Sequence, residues 1–300
     1  MSAKSTEDTK RQRANQDGNK DNSTAKIPPL MWAFAAVLAL GTGVGGYILG
    51  DNHGYDRAVD ALESGQLPET NNSAAATGIP EEAEPGTDFT EAKASKEAAL
   101  IHGPGTPINS RQEISNSARR DPNDPFAIGA VDAPVVIAEF TDWDCPFCIR
   151  HTLETEPALI REYVEPGYVR IEWNDMPING EAAHAAARAG RAAAEQGKFA
   201  EYKKAFFDEA RGTEGHPGFD IEDFVRFAKT AGVPDMDKFR ADATSDKYDK
   251  AIAEALDYAQ GLGISGTPGF IVNNEFIGGA LPIDDFRKVI NGELYKAAKK

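Results

Sequence analysis

Cysteine is nearly absent from this chain: 300 residues hold two, Cys145 and Cys148. A disulfide-stapled secreted domain carries several, and a zinc ribbon needs four ligands, usually two such pairs. As a staple, a bond closing so short a loop would remove only about 2 kcal/mol of unfolded-chain entropy, against roughly 3 for a 15-residue loop. Stapling is therefore a poor reason for the pair. Basic residues are also in deficit: 32 Lys and Arg face 48 Asp and Glu, a formal net charge of −16. Binding to nucleic acid rests on cations that neutralise phosphates, so no nucleic-acid partner is expected.

Charge of either sign is missing from residues 27 to 50, IPPLMWAFAAVLALGTGVGGYILG. About 20 helical residues at 1.5 Å rise cross a hydrocarbon core, so this segment is expected to be one transmembrane helix embedded in the lipid bilayer. Lys4, Lys10, Arg11, Arg13, Lys20 and Lys26 precede it, and Asp51, Asp56 and Asp60 follow it. That asymmetry predicts a cytoplasmic tail over 1–26 and an extracytoplasmic location for everything beyond 50, on a single-pass protein of the cell membrane. A cleaved signal peptide competes, because the densest apolar run, Leu30 to Leu40, has that length. The long n-region and the uncharged stretch beyond Leu40 favour an uncleaved anchor; either way the bulk is exported, where disulfides persist. Gly41, Gly43, Gly45, Gly46 and Gly50 follow no strand, so they make no phosphate loop, although their spacing would let two spans approach closely.

Large apolar residues are scarce from 51 to 110. Ala, Glu, Gly, Pro, Ser and Thr cannot bury enough surface to offset the entropy of ordering, so the composition predicts a flexible extracytoplasmic linker. The folded domain is expected over 111–300.

Within it, Val135–Phe140 is a β-rich run behind Pro134, long enough for a buried strand. Cys145 then fits an N-cap and Pro146 the first helical position, with Pro157 expected to kink the helix before Glu165-Pro166-Gly167 ends it. Val169–Trp173 alternates as a second strand, completing a βαβ unit. Helical patterns follow over Glu181–Glu195, Phe199–Ala210, Ile221–Ala231 and Met236–Gly261. Gly269–Val272 and Glu275–Ile277 flank Asn273-Asn274 as a hairpin, though the loop lacks its usual glycine. Pro282–Ile290 closes as a helix.

The order β, α, β, helical block, β, β, α resembles the thioredoxin fold with a helical insertion, at about 180–262, of the DsbA-type thiol-disulfide oxidoreductases. The resemblance covers roughly 126–290. It is carried by "EFTDWDCPFC", similar to the strand-to-active-site passage, by "GTPGFIVN", similar to the cis-proline loop and following strand, and by the position of the helical block.

A thiolate is the attacking species in disulfide exchange, and an unperturbed thiol of pKa near 8.5 is only about 3% ionised at pH 7. A helix N-terminus and first-turn N–H groups lower that pKa, which makes Cys145 the candidate nucleophile and Cys148, one turn on, the buried resolving thiol. The resemblance implies the same two roles, with the redox-active disulfide Cys145–Cys148 standing in place of any cofactor. It also implies a buried carboxylate at Glu139 that relays the Cys148 proton, its pKa raised by burial. Thr267-Pro268 resembles the cis-proline dipeptide, with Thr267 offered to the substrate main chain. Asp144, Pro146 and Phe147 surround the thiols and tune the potential. Strongly oxidising members resemble this sequence but carry Pro-His between their cysteines. Here Phe147 replaces that His, and Asp144 puts a negative charge beside the thiolate, which predicts a milder oxidant.

His151 is three residues after Cys148, yet Cys145, Cys148 and His151 converge poorly as ligands, and no metal site is expected. His184, amid alanines, reads as a packed or solvated helix residue. Trp143 and Phe147 read as an apolar rim for unfolded chains, or as packing. The function implied is an extracytoplasmic oxidase acting on exported proteins with free thiols and recycled by a quinone-linked membrane partner. A reductase or isomerase, for instance one serving cytochrome c maturation, stands as an alternative; a non-catalytic metal-delivery module is a third reading.

Overall fold

The computed structural model describes residues 78–103, 114 and 116–299. The expected tail over 1–26 and the expected transmembrane helix over 27–50 lie outside them. Among the described residues, no helix is long and apolar enough to cross a membrane.

Five strands form one sheet in the order β1-β3-β2-β4-β5. They are β1 (Ala127–Ile128), β2 (Val135–Thr141), β3 (Val169–Asp175), β4 (Gly269–Val272) and β5 (Glu275–Gly278). The central pair β2 and β3 runs parallel, Glu139 facing Trp173, while the other neighbours pair antiparallel. Every residue of β2 and β3 is buried, as expected where helices cover both faces of a parallel pair. The two-residue β1 is too short to leave a periodic signal and is absent from the sequence reading. The hairpin forms without its glycine because Asn273 takes a positive φ of 50° and its side-chain oxygen accepts from the Val136 N–H, which ties the turn to β2.

The crossover between β2 and β3 begins as α1 (Pro146–Arg150) and passes through a π-helical turn, His151–Thr155, before α2 (Glu156–Leu159) and a second π turn, Ile160–Val164. Pro157, where a kink was expected, follows the first π turn directly, and at the end of that turn the Glu156 N–H reaches back to the His151 carbonyl.

The insertion holds α3 (Glu181–Glu195), α4 (Phe199–Glu209), α5 (Ile221–Thr230), α6 (Met236–Ala243) and α7 (Asp249–Gly261). The run read as one helix over Met236–Gly261 is thus two. Thr244 and Ser245 separate them, their hydroxyls donating back to the carbonyls of Arg240 and Asp242. The last helix, α8 (Ile283–Ala297), runs seven residues past the expected end.

Packing settled one residue that the sequence left open and corrected the reading of one segment. Trp143 is no rim residue: it is 1% exposed, stacked on Phe207 and edge-on to Phe199, Tyr202 and Phe206, at the centre of the insertion's core. Residues 78–103, read as part of a flexible linker, lie against the domain. Ala83 and Ala98 are buried and Ala99 is fully so, while Asp132 accepts the N–H groups of Thr87 and Asp88. The strap also binds through Arg191, which donates to the carbonyls of Ala99 and Ile101 and to Asp175. Small residues make this strap: a side chain at Gly167 would put its Cβ 2.3 Å from the Gly86 carbonyl. Alanine and glycine look like linker by composition, yet they let the chain lie flat on a surface whose cation and carboxylate satisfy its backbone.

Candidate active site

Strand β2 ends at Thr141, and the turn that follows is built from carboxylates. Asp142 Oδ1 accepts the Asp144 N–H at 2.8 Å, and its other oxygen accepts the Ile178 and Asn179 N–H groups at 2.8 and 2.9 Å. This fixes the chain so that Cys145 is the N-cap of α1, extended at φ −83° and ψ 122°, with Pro146 as the first helical residue. Both thiols are reduced; Cys145 is 5% exposed and Cys148 not at all.

The two sulfurs sit in different fields. A hydrogen bond from Cys148 does most to stabilise the ionised Cys145 sulfur; against burial, the Thr267 side chain and the backbone N–H groups of Cys148 and Phe147 add to it, and the thiol is held at about 6. Burial pushes Cys148 far the other way, and its bond to the Cys145 sulfur keeps it protonated. The result is a ready nucleophile beside a thiol that must be helped to lose its proton.

Thr267-Pro268 is a cis peptide. The Thr267 carbonyl accepts from Cys145 Sγ at 3.5 Å, so the loop lies directly across the nucleophile. Ser265 and Gly266, just before it, are exposed. Phe147, 53% exposed, points outward beside the pair, with the Arg150 guanidinium 5.2 Å from its ring centre. Of the rim proposed from sequence, Phe147 alone stands at the surface.

Asp144 does not present a bare charge to the thiolate. Its carboxylate accepts the Gly218 N–H at 2.8 Å and lies 3.4 Å from His216 Nδ1, which also donates to the Asp144 carbonyl at 2.7 Å. The loop between α4 and α5 thus reaches over to the residue before the nucleophile, a contact 72 positions away that no local pattern announces. His151 packs between Phe270 and Phe286, where burial lowers its pKa to about 3, so it is neutral.

Glu139 is 1% exposed on the inner face of β2, with neither carboxylate oxygen bonded to the protein. Burial raises it to about 7, with Lys203 opposing and Glu156 adding to the rise. Sequence reasoning found Glu139 but missed its neighbours. Glu156 and Lys203 form a buried ion pair at 2.6 Å, reaching in from α2 and from the insertion, and the ammonium lies 4.8 Å from the Trp173 ring centre. On an isolated helix each reads as a solvated charge.

Comparison with known proteins agrees with this arrangement. The family model described as Thioredoxin matches residues 121–292, more than half of the chain. The "Probable disulfide bond formation protein D" of Bacillus cereus is 29% identical over 61% of this chain and 88% of its own length. The "Na(+)/H(+) antiporter NhaA 3" of Salinispora tropica is 34% identical over 51% of this chain, which spans only 22% of that protein. Oxidised BdbD from Bacillus subtilis superposes with a TM-score of 0.53 over 57% of this chain and 92% of its own, at 21% identity, a likeness of fold. With its paired thiols at a helix start, its cis-proline loop across them and its helical insertion, the chain belongs to the DsbA-like thiol-disulfide oxidoreductases of the thioredoxin family.

Proposed function

We propose that this protein is an oxidase that introduces disulfides into exported proteins, working outside the cell on an anchor formed by residues 27–50. The observation that carries the reading is the unequal pair: a Cys145 sulfur stabilised as thiolate beside a buried, protonated Cys148. Stabilising the reduced form's thiolate makes the disulfide the more readily reduced, hence more oxidising. The name of the Bacillus cereus relative supports the same direction.

In the oxidising half-reaction a substrate thiolate attacks Cys145 Sγ of the Cys145–Cys148 disulfide. The S–S bond breaks, a mixed disulfide forms at Cys145, and Cys148 leaves as a thiolate that takes a proton from Glu139. The backbone around Thr267, beside the nucleophile, holds the substrate main chain in extended form. A second substrate thiolate then attacks the substrate sulfur of the mixed disulfide and expels Cys145 as a thiolate, a good leaving group because its pKa is low. Two electrons have passed from substrate to enzyme; a quinone-linked membrane partner would return the enzyme to its oxidised form.

The test is the Cys145–Cys148 reduction potential together with oxidation of a reduced, unfolded substrate by stoichiometric oxidised protein. Rapid substrate oxidation and a potential well above that of thioredoxin, about −270 mV, support the reading. A potential near that value with no net oxidation moves the function to a reductase. Fractionation of the full chain with and without residues 27–50 tests the anchor.

A further inference from the structure

We propose that residues 95–101 of the strap belong to the redox site: through Arg191 and Asp175, two positioning residues, they hold the Trp143 indole and with it the turn that carries Cys145. The inference deepens the exchange reading above and rests on it, because what the strap positions is the thiol that reading makes the nucleophile.

The chain of contacts is short. Ser95 opens one turn of 3-10 helix, Ala98–Leu100, its hydroxyl accepting the Ala98 N–H at 3.0 Å. That turn puts the fully buried Ala99 side chain into the same core as Trp143 and Trp173. It leaves the carbonyls of Ala99 and Ile101 to α3, where Arg191 Nη1 donates to both, at 2.8 and 3.0 Å. Arg191 Nε donates to Asp175 Oδ2 at 2.8 Å. The other Asp175 oxygen accepts both indole N–H groups, that of Trp173 at 3.0 Å and that of Trp143 at 3.3 Å. Arg191, Asp175 and the two indoles are each at most 3% exposed. Gly190 lets α3 come this close, since a Cβ there would lie 2.5 Å from Trp143 Cζ2.

A buried ion pair is weak evidence of a stabilising role, because apolar side chains of similar volume often serve as well. What a guanidinium and a carboxylate add is direction, through hydrogen bonds of fixed geometry. Here the direction converges on the thiols. Asp175 ends β3 opposite Thr141, the last residue of β2. Three and four residues further on, Ile178 and Asn179 give their N–H groups to Asp142. The turn from Asp142 to Cys145 is thus held twice from the end of β3, by the Asp142 carboxylate and by the Trp143 indole, and the second hold continues to the strap.

The ionised Cys145 sulfur depends on that turn. The N–H groups of Phe147 and Cys148 reach it while Cys145 keeps its extended N-cap conformation. Without the strap carbonyls Arg191 loses two acceptors in a buried place, which is costly, so it turns toward water and leaves Asp175 unpaired. The indole and the turn then lose their fixed position, the thiolate is held less well, and the disulfide becomes less oxidising.

Two variants of the full chain test this. Ala99→Lys puts a cation of the same sign as Arg191 into the buried seat and should expel the strap, with α3, β3 and the active-site turn unaltered. Arg191→Met combined with Asp175→Asn cuts the strap from the indoles without a buried unpaired charge, so it provides the measurement if the first variant does not fold. The readouts are hydrogen exchange of the Trp143 indole N–H by nuclear magnetic resonance, the Cys145 ionisation midpoint from alkylation across pH, and the redox equilibrium with glutathione. In both variants the indole N–H should exchange faster and the midpoint should rise by up to about one unit, the size of one weakened hydrogen bond to a charged group. At about pH 8, where Cys145 is ionised in parent and variant, the equilibrium constant for oxidising glutathione should fall by up to about tenfold. Variants that lose stability yet keep the parent's midpoint and glutathione equilibrium make the strap a brace alone and overturn the proposal. A parent protein whose disulfide does not exchange with glutathione overturns the exchange reading instead.

Discussion

Replacing Cys148 with Ala removes the thiol whose hydrogen bond does most to hold the Cys145 sulfur ionised. A hydrogen bond to a charged group contributes about 1.5–3 kcal/mol, and 1.36 kcal/mol is one pKa unit, so the Cys145 midpoint should rise by about one to two units. It starts at about 6, which puts the variant between about 7 and 8. The assay is alkylation by iodoacetamide followed across pH, with thiolate ultraviolet absorbance as an independent titration. The rate at a single pH is a poor readout. As the pKa rises, the thiolate fraction falls but each thiolate becomes more nucleophilic, with a Brønsted slope of about 0.4–0.5, and the two changes largely cancel near pH 7. The midpoint escapes this cancellation. A midpoint that stayed near the parent's would refute the reasoning, because the N–H groups of Phe147 and residue 148 and the Thr267 side chain, all retained, would then account for the stabilisation. The same variant should accumulate mixed disulfides through Cys145 when given an unfolded disulfide substrate, since no resolving thiol remains.

Four further outcomes follow from the geometry. Phe147→His adds a hydrogen-bond donor at an exposed position beside the pair, and should raise the reduction potential at pH 7 by about 30 mV for each unit by which it lowers the Cys145 pKa, measured against glutathione. Glu139 is raised from the ordinary 4.5 to about 7: between those values the folded protein binds the extra proton, so the reduced protein loses stability as pH rises through that window, by about 3 kcal/mol at most. Urea unfolding at either end should show the loss, and Glu139→Gln should flatten it. Gly190→Ala would place a Cβ 2.5 Å from Cζ2 of Trp143, inside a fully packed core, and should lower unfolding stability by about 1–3 kcal/mol. A chain that begins after residue 103 loses buried Ala83, Ala98 and Ala99 and two carbonyl partners of Arg191, so its denaturation midpoint should fall; an unchanged midpoint would restore the linker reading.

Legibility in the sequence tracked the range of the forces involved. Cys145-Pro146 at a helix start is a local signal, because an N-cap and a first-turn proline are set by adjacent backbone geometry. The strands β2 and β4 were legible for the same reason: a largely apolar run buried on both faces, broken in β2 only by Glu139 before its last two residues, needs no partner to be read. Trp143 was ambiguous, since a large apolar side chain beside the thiols suits a rim or a core equally, and only helices α3 and α4 folding over it decided the matter. Asp144 was misread in part because its partner, the His216–Gly218 loop, is supplied from the insertion.

By itself the sequence determined the chemistry: two thiols at a helix tip and a carboxylate six residues upstream on an apolar strand. Tertiary structure alone decided how those groups are tuned. The Thr267 contact, the Glu156–Lys203 pair and the strap over Arg191 join residues between 47 and 122 positions apart. Such contacts depend on the sheet and insertion closing first, and a charge such as Lys203 looks solvated until the fold removes the water around it.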